Sequence, residues 1–290
     1  MTTDNAGRLI LLTALTMVAF AANSVLNRAA LTDGETGPAA FAAIRLVAGA
    51  ICLALLVSTQ RGLPQLWEPG RAAKAGSLLV YMLGFSFAYV ALDAGVGALI
   101  LFGGVQITMF AGAVLGGERP PLSRWAGAVI AFGGLIWLLW PGATDAPDAL
   151  AALLMAAAAL GWGVYSLKGR GALDPLGDTA ANFILAAPIA LAVWVVLPDG
   201  IGTRGIVLAI VSGAVTSGLG YALWYAILPR IEASTAALSQ LTVPVIALLG
   251  GAALLAEPPT WRLIAASVVV LGGVAFGITA GQRTKSSKGS

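Results

Sequence analysis

The chain has 290 residues, of which 59% are hydrophobic and only 10% charged, with a formal net charge of +3. A water-soluble domain carries about 25% charge, so this composition excludes one, and so small a positive balance gives no reason to expect a nucleic-acid partner. There is no histidine and a single cysteine, Cys52, so an internal disulfide is impossible, the commonest metal ligand is missing, and neither a metal nor a cofactor is called for.

Apolar runs between charged or Pro/Gly-rich breaks define ten spans, at 9–28, 38–58, 75–92, 96–115, 122–140, 149–168, 179–197, 206–227, 234–255 and 262–281. Each is near the ~20 residues that cross a ~30 Å hydrocarbon core. They are too long, and too rich in Leu, Ala, Gly and Val, for the ~10-residue alternating strands of a membrane barrel. Helices satisfy their own backbone groups where lipid offers no partner. The expected fold class is an all-α integral membrane protein in a lipid bilayer.

Span 1 begins after Arg8. The "AFA" at 19–21 resembles a signal cleavage site, but the apolar run continues to Leu26, so the segment is read as a retained helix. Asn23 and Asn27 lie one turn apart on it and could bind a substrate's charged groups or pair with other helices. Arg45 is the one charge well inside a span. At an insertion cost of about 2.5–3.5 kcal/mol it is a functional candidate, able to attract a carboxylate or, lying some seven residues from the span's end, to snorkel out. Cys52 reads as packing.

On span 3, Tyr81, Phe85 and Tyr89 recur at helical spacing and share a face. Gln106, in the middle of span 4, needs a polar partner or a substrate, because an unpartnered buried amide costs several kcal/mol. Trp162 and Tyr165 form an aromatic patch on span 6, and Tyr221, Trp224 and Tyr225 form another on span 8. Such rings can line a cavity for an aromatic or apolar side chain. Tyr81 and Phe85 are central. Tyr89, Trp224 and Tyr225 fall near span ends, where interfacial girdle residues also collect. On span 9, Ser239 and Gln240 are polar candidates near the start, and Pro244 removes a backbone bond in mid-span, suggesting a hinge.

Lys and Arg alternate across the loops. With the N-terminus inside, twelve fall on the inner side and Arg28, Arg204 and Arg262 on the outer. The positive-inside rule then predicts a multi-pass cell (inner) membrane protein with both termini cytoplasmic.

The chain also repeats itself. A shift of 139 superposes Ala94, Ala98, Leu99 and Gly112 on Ala233, Ala237, Leu238 and Gly251, Glu118 and Pro120 on Glu257 and Pro259, and Gly133-Gly134 on Gly272-Gly273. A shift of 136 places Gly84, Phe85, Tyr89 and Leu92 on Gly220, Tyr221, Tyr225 and Leu228, and a shift of 140 places Arg28 on Lys168. Two five-helix repeats, 1–141 and 147–282, joined by "PGATDAPD", are expected. Five is odd, so the second enters the membrane from the opposite side. Such inverted repeats are typical of secondary transporters, with the substrate between the halves. Glu118 and Glu257 are then symmetry mates on opposite faces, suited to gating or simply to ending their helices.

Ten spans, the five-plus-five duplication and a Glu after spans 4 and 9, each followed by a Gly-rich span, resemble the drug/metabolite transporter superfamily of EamA type, over essentially the whole chain. Within it the nearest resemblance is to exporters of aromatic and other neutral amino acids. The Trp-Gly pair common in the family's first span is replaced here by "FAANSVLNR", while the second half keeps "LGWGVYSLK". The resemblance implies an exporter of amino acids or other metabolites; with the inverted repeat, and with no histidine, membrane-depth acidic dyad or G-x-S-x-G motif, the expectation is a monomeric alternating-access carrier of a small amphipathic substrate, not an enzyme. No acid lies at membrane depth and there is no ATP-binding loop, which favours gradient-driven export of amino acids over proton-coupled export of other metabolites or cationic drugs, and leaves a channel as the remaining reading.

Overall fold

The computed structural model describes residues 3–62, 64–140, 146–169, 172–231 and 233–286. Part of the expected linker (141–145), and Arg170 and Lys288 from the charge count, lie outside these residues. Among the described residues every regular element is helical: α1 (Thr3–Leu31), α2 (Pro38–Arg61), α3 (Arg71–Ala88), α4 (Ala94–Leu115), α5 (Leu122–Leu139), α6 (Ala149–Gly169) and α7 (Pro175–Val196). Then come α8 (Thr203–Ile210), a π-helical stretch (Val211–Leu219), α9 (Gly220–Ile227), a 3₁₀ turn (Leu228–Arg230), α10 (Ala233–Gln240), α11 (Thr242–Leu254) and α12 (Trp261–Ser286).

Nine of the described helical segments are long and apolar enough to cross a membrane. The tenth span of the sequence reading is α3, whose first turn carries Arg71 and Lys74. Successive spans alternate in direction, so α1, α3, α5, α7 and α10–α11 leave the N-terminal face while α2, α4, α6, α8–α9 and α12 return to it. Large apolar side chains face outward along the spans: Leu55, Val129, Leu153, Val195, Leu249 and Val268 are all exposed. Five of the eight tryptophans are exposed near helix ends, Trp67 and Trp125 at the N-terminal face and Trp137, Trp140 and Trp261 at the other. Indole rings collect at that depth because they are amphipathic.

Three spans depart from a simple helix. Span 3 ends four residues early: the chain turns at Tyr89–Leu92, because Asp93, in extended conformation, starts α4. Span 8 is π-wound over nine residues. Span 9 breaks at Leu241, whose N–H donates to the Leu238 carbonyl at 3.1 Å, and Pro244 occupies the first turn of the new helix α11. A first-turn proline removes a donor that has no helical acceptor, so the mid-span proline acts by ending one helix and starting another.

Lipid supplies no hydrophobic drive between helices, so small residues that admit close packing hold the bundle together. α5 and α12, which correspond between the two halves, meet through the repeated Gly-Gly pairs. A Cβ at Gly273 would lie 2.8 Å from Ile130, and one at Gly127 would lie 2.5 Å from the Gly273 carbonyl oxygen and 2.8 Å from the Gly277 Cα. Gly133 and Gly272 have nothing within 4 Å of a would-be Cβ. Gly127→Val is therefore expected to lower the detergent-solubilised Tm by several degrees, an overpacking cost of about 1–3 kcal/mol, while Gly133→Val leaves it unchanged; a thermal-shift assay of both variants measures this.

Candidate functional site

The centre of the bundle is built where α3 and α6 cross. A Cβ at Gly161 would fall 2.7 Å from the Ser77 carbonyl oxygen, and one at Gly84 would fall 2.7 Å from the Leu154 carbonyl oxygen. Neither helix tolerates a side chain there. Gly163, two residues on, faces Thr108 of α4 with a would-be Cβ at 2.6 Å. The "GWG" stretch thus seats α6 against both α3 and α4 and delivers Trp162 to the middle. Its ring lies 4.9 Å from Tyr81, 5.0 Å from Tyr221 and 5.5 Å from Tyr165, centroid to centroid. Phe20 closes the group from α1, edge-on to Tyr221 at 5.7 Å and to Trp224 at 5.8 Å. Phe85 packs on Tyr81 at 5.4 Å and edge-on to Tyr89 at 4.7 Å.

The space between these rings is lined by Phe20, Asn23, Tyr81, Phe85, Trp162 and Tyr221, with Leu101 and Phe102. It measures about 10 Å³, room for one water molecule.

A polar layer adjoins the rings. The Asn23 Oδ1 lies within hydrogen-bonding distance of three hydroxyls, Ser212 at 2.9 Å, Thr216 at 2.5 Å and Ser217 at 3.2 Å. In a regular α-helix Ser217 would point about 140° away from Ser212, at 3.6 residues per turn. The π winding of Val211–Leu219 brings residue i+5 back over residue i, so all three hydroxyls meet one oxygen. Ser217 also accepts from Arg45, whose Nε lies at 3.3 Å and Nη2 at 3.2 Å. The same Nη2 reaches the Tyr81 hydroxyl at 3.3 Å. Arg45 does not snorkel: it is 0% exposed. Gly213 explains why, since a Cβ there would collide with the Arg45 carbonyl oxygen. α2 therefore runs flush against the π stretch, which turns the Arg45 side chain inward. Asn27 is buried one turn above Asn23, donating weakly to the Asn23 carbonyl at 3.4 Å.

Both faces are tied by charge. On the face away from the N-terminus, the Arg28 Nε donates to Glu257 at 2.7 Å and its Nη2 to Asp93 at 3.2 Å. Its Nη1 caps the end of α3 at the Tyr89 and Val90 carbonyls. The second oxygen of Glu257 accepts from the Ala94 N–H at 2.9 Å. These bonds join α1 and the α3–α4 turn to the segment after α11. Outside them lies an open recess of about 490 Å³ lined by Arg28, Thr32, Arg204 and the chain from Ala252 to Glu257. On the N-terminal face, Asp178 of α7 receives Arg71 Nη1 at 2.6 Å and Lys74 Nζ at 2.6 Å, while Glu68 pairs with Lys74 at 2.8 Å and Arg71 at 3.1 Å. Tyr165 stands just behind this cluster, its hydroxyl accepting from Asn182 at 3.3 Å and donating to Thr179 at 3.4 Å.

Of the residues singled out from the sequence, Asn23, Tyr81, Phe85, Trp162 and Tyr221 line the central space, and Arg45 touches two of its walls. Tyr89 and Trp224 are buried behind that wall, away from any lipid girdle, and the Tyr89 hydroxyl donates to the Ala94 carbonyl at 3.3 Å. Gln106 is half-buried on α4 and does not line the central space. Ser239 donates to the Thr235 carbonyl at 2.8 Å, and with Gln240 it marks the α10–α11 break. Glu118 is exposed at the N-terminal face, unlike Glu257. Phe20, the hydroxyls of the π stretch and Asp178 escaped the sequence reading. Ser212, Thr216 and Ser217 carried a signal, three hydroxyls within six residues of an apolar span, but their convergence needs a winding that helical periodicity does not anticipate.

An all-helical membrane bundle with a ring-lined centre between charged faces defines a carrier-type membrane protein. The EamA-like transporter family model matches it twice, over residues 7–140 and 149–279. The chain belongs to the EamA-like transporter family, whose members carry small molecules across membranes and are not enzymes. It is 46% identical over 274 residues to an uncharacterized protein of Pseudomonas aeruginosa, covering 93% of this chain and 94% of that one. An uncharacterized transporter of Archaeoglobus fulgidus is 29% identical over 203 residues, 67% of this chain and 71% of that one. A protein crystal structure at 20% identity superposes with a TM-score of 0.66, covering 94% of this chain and 98% of the other, which shows a shared fold.

Glu257→Gln removes the nearer of the two charged partners of a part-buried Arg28, Asp93 being the other. The expected loss is about 1.5–3 kcal/mol, the worth of a hydrogen bond to a charged group, read as a Tm in detergent below that of the parent protein, a difference that narrows in high salt.

Proposed function

We propose that this protein exports small amphipathic metabolites from the cytoplasm by alternating access, and that amino acids with aromatic or other neutral side chains are its substrates. The N-terminal face is the cytoplasmic one on the Lys/Arg distribution. The observation that carries this reading is the pair of ionic ties on opposite faces, each joining the two halves, with a ring-lined centre between them.

Rings suit a substrate with an apolar or aromatic body, because edge and stacked contacts are worth about 0.5–1.5 kcal/mol each beyond area burial. With room for one water molecule between the rings, this conformation is the occluded one. Loading and release then require each face to part in turn.

The inverted repeat supplies the second conformation. Arg28 corresponds to Lys168 and Glu257 to Glu118. Arg28 and Glu257 are paired here, while Lys168 and Glu118 are both exposed on the N-terminal face. Exchanging the conformations of the two halves moves the tie from one pair to the other: Lys168 meets Glu118 when the Arg28–Glu257 tie opens. Both acids thereby take gating roles, and the π-helical and α10–α11 breaks are where spans 8 and 9 bend.

Two measurements test this. Counterflow in proteoliposomes with a panel of labelled amino acids is expected to show saturable exchange, reduced about tenfold or more in Tyr81→Ala and Trp162→Ala; a single stacking contact of about 1.4 kcal/mol corresponds to one factor of ten. No exchange of any amino acid removes the substrate assignment. In a Cys52→Ser background, the pair Arg28→Cys with Glu257→Cys and the pair Glu118→Cys with Lys168→Cys are expected to cross-link in opposite conditions, substrate shifting the ratio. Cross-linking of both pairs at once, unaffected by substrate, rules out the alternation.

A further inference from the structure

A guanidinium this deep in a membrane protein is expected to have an anion beside it. Arg45 has none. Among the described residues no carboxylate lies within ion-pair distance of it. Its contacts are neutral and long: Ser217 at 3.2 and 3.3 Å, and Tyr81 at 3.3 Å. Its Nη1 is buried with no hydrogen-bond partner at all. Two ring faces partly stand in for an anion, Phe85 at 4.9 Å and Tyr81 at 5.7 Å from Arg45 Cζ. Cation–π contacts of this kind are worth about 2 kcal/mol when desolvated, well short of what removing the ion from water costs. Arginine cannot escape by losing its proton. The conformation therefore holds one uncompensated positive charge in its core.

The location of that charge is informative. The shift of 136 that superposes Phe85 on Tyr221 also superposes Tyr81 on Ser217. The two side chains that hold Arg45 are thus equivalents from the two halves. Both rings beneath it line the central space, and so does Tyr221, whose hydroxyl is likewise buried without a partner.

We propose that the substrate carries a carboxylate, and that Arg45 binds it through the free Nη1, with the Tyr221 hydroxyl donating to the second oxygen and the rings holding the apolar body. One positive charge and two free donors match a monoanionic planar carboxylate, to which guanidinium binds more strongly than to any neutral acceptor. A cationic amine without a carboxylate would place a second positive charge in the same low-dielectric space, and is excluded. The inference rests on the transport reading above and assigns the groups that hold the substrate's carboxylate.

The test uses three probes with one ring and different charge: phenylacetate, phenylalanine and phenethylamine. In proteoliposome counterflow and thermal-shift assays, phenylacetate or phenylalanine is expected to exchange and to raise the Tm, and phenethylamine to do neither. Arg45→Gln is expected to fold with an unliganded Tm at or above that of the parent protein, because it removes an uncompensated charge, and to lose about tenfold or more of the carboxylate exchange; Arg45→Lys retains part of it. A lower unliganded Tm in Arg45→Gln would make the residue a structural strut and overturn the proposal, as would phenethylamine exchanging as fast as phenylacetate. If none of the three exchanges, the aromatic assignment falls by itself. Short aliphatic carboxylates and the matching amines then decide: carboxylate exchange lost in Arg45→Gln supports the Arg45 site, and exchange of amines alone removes it.

Discussion

Direct backbone contact between helices is the constraint on which the centre of this protein depends. With lipid on the outside there is no hydrophobic gain in pressing one apolar helix on another, so association relies on close packing. Gly84 and Gly161 let α3 and α6 touch, Gly163 lets α6 reach α4, and Gly213 lets α2 lie on the π stretch. Each contact has a chemical result one or two residues away. The first two carry Trp162 in among Tyr81 and Tyr221, and the last turns Arg45 inward. A side chain at any of these glycines would separate helices and disperse the rings, even though no glycine itself could touch a substrate.

The polar layer follows a different logic. Buried hydroxyls and amides are tolerated where they satisfy one another, and Asn23 with the three hydroxyls of the π stretch does so. Arg45 is the charge in this layer, held by neutral partners. Charge is otherwise kept to the two faces, where Arg28 with Glu257 and Asp178 with Arg71 and Lys74 bridge the halves at side-chain exposures of 5–16%.

The spans and their number were legible because hydropathy over ~20 residues is a strong signal and lipid permits few alternatives. The aromatic centre was legible in part: Tyr81 and Phe85 are deep in span 3 by simple counting, and Trp162 stands out between two glycines. The failures have local causes. Tyr89 and Trp224 sit near span ends in sequence, yet neighbouring helices cover them, and depth along a chain does not report burial across it. The meeting of Ser212, Thr216 and Ser217 depends on i→i+5 winding, and the inward turn of Arg45 on a glycine 168 positions later. The tie of Glu257 to Arg28 is a long-range pairing that neither residue announces, and Glu118, which the shift of 139 places on Glu257, has no ion-pair partner among the described residues.

The Gly-Gly pairs of α5 and α12 show how unevenly such a bundle weighs its residues. Gly134 and Gly273 abut the facing helix, and Gly133 and Gly272 look out on open space. Adjacent, chemically identical positions are thus one indispensable and one free. When a fold is pinned at a few backbone crossings and its remaining surface needs only to be greasy, sequence can drift almost everywhere without moving a helix. A fold shared at 20% identity over nearly the full length of both chains is what that freedom permits.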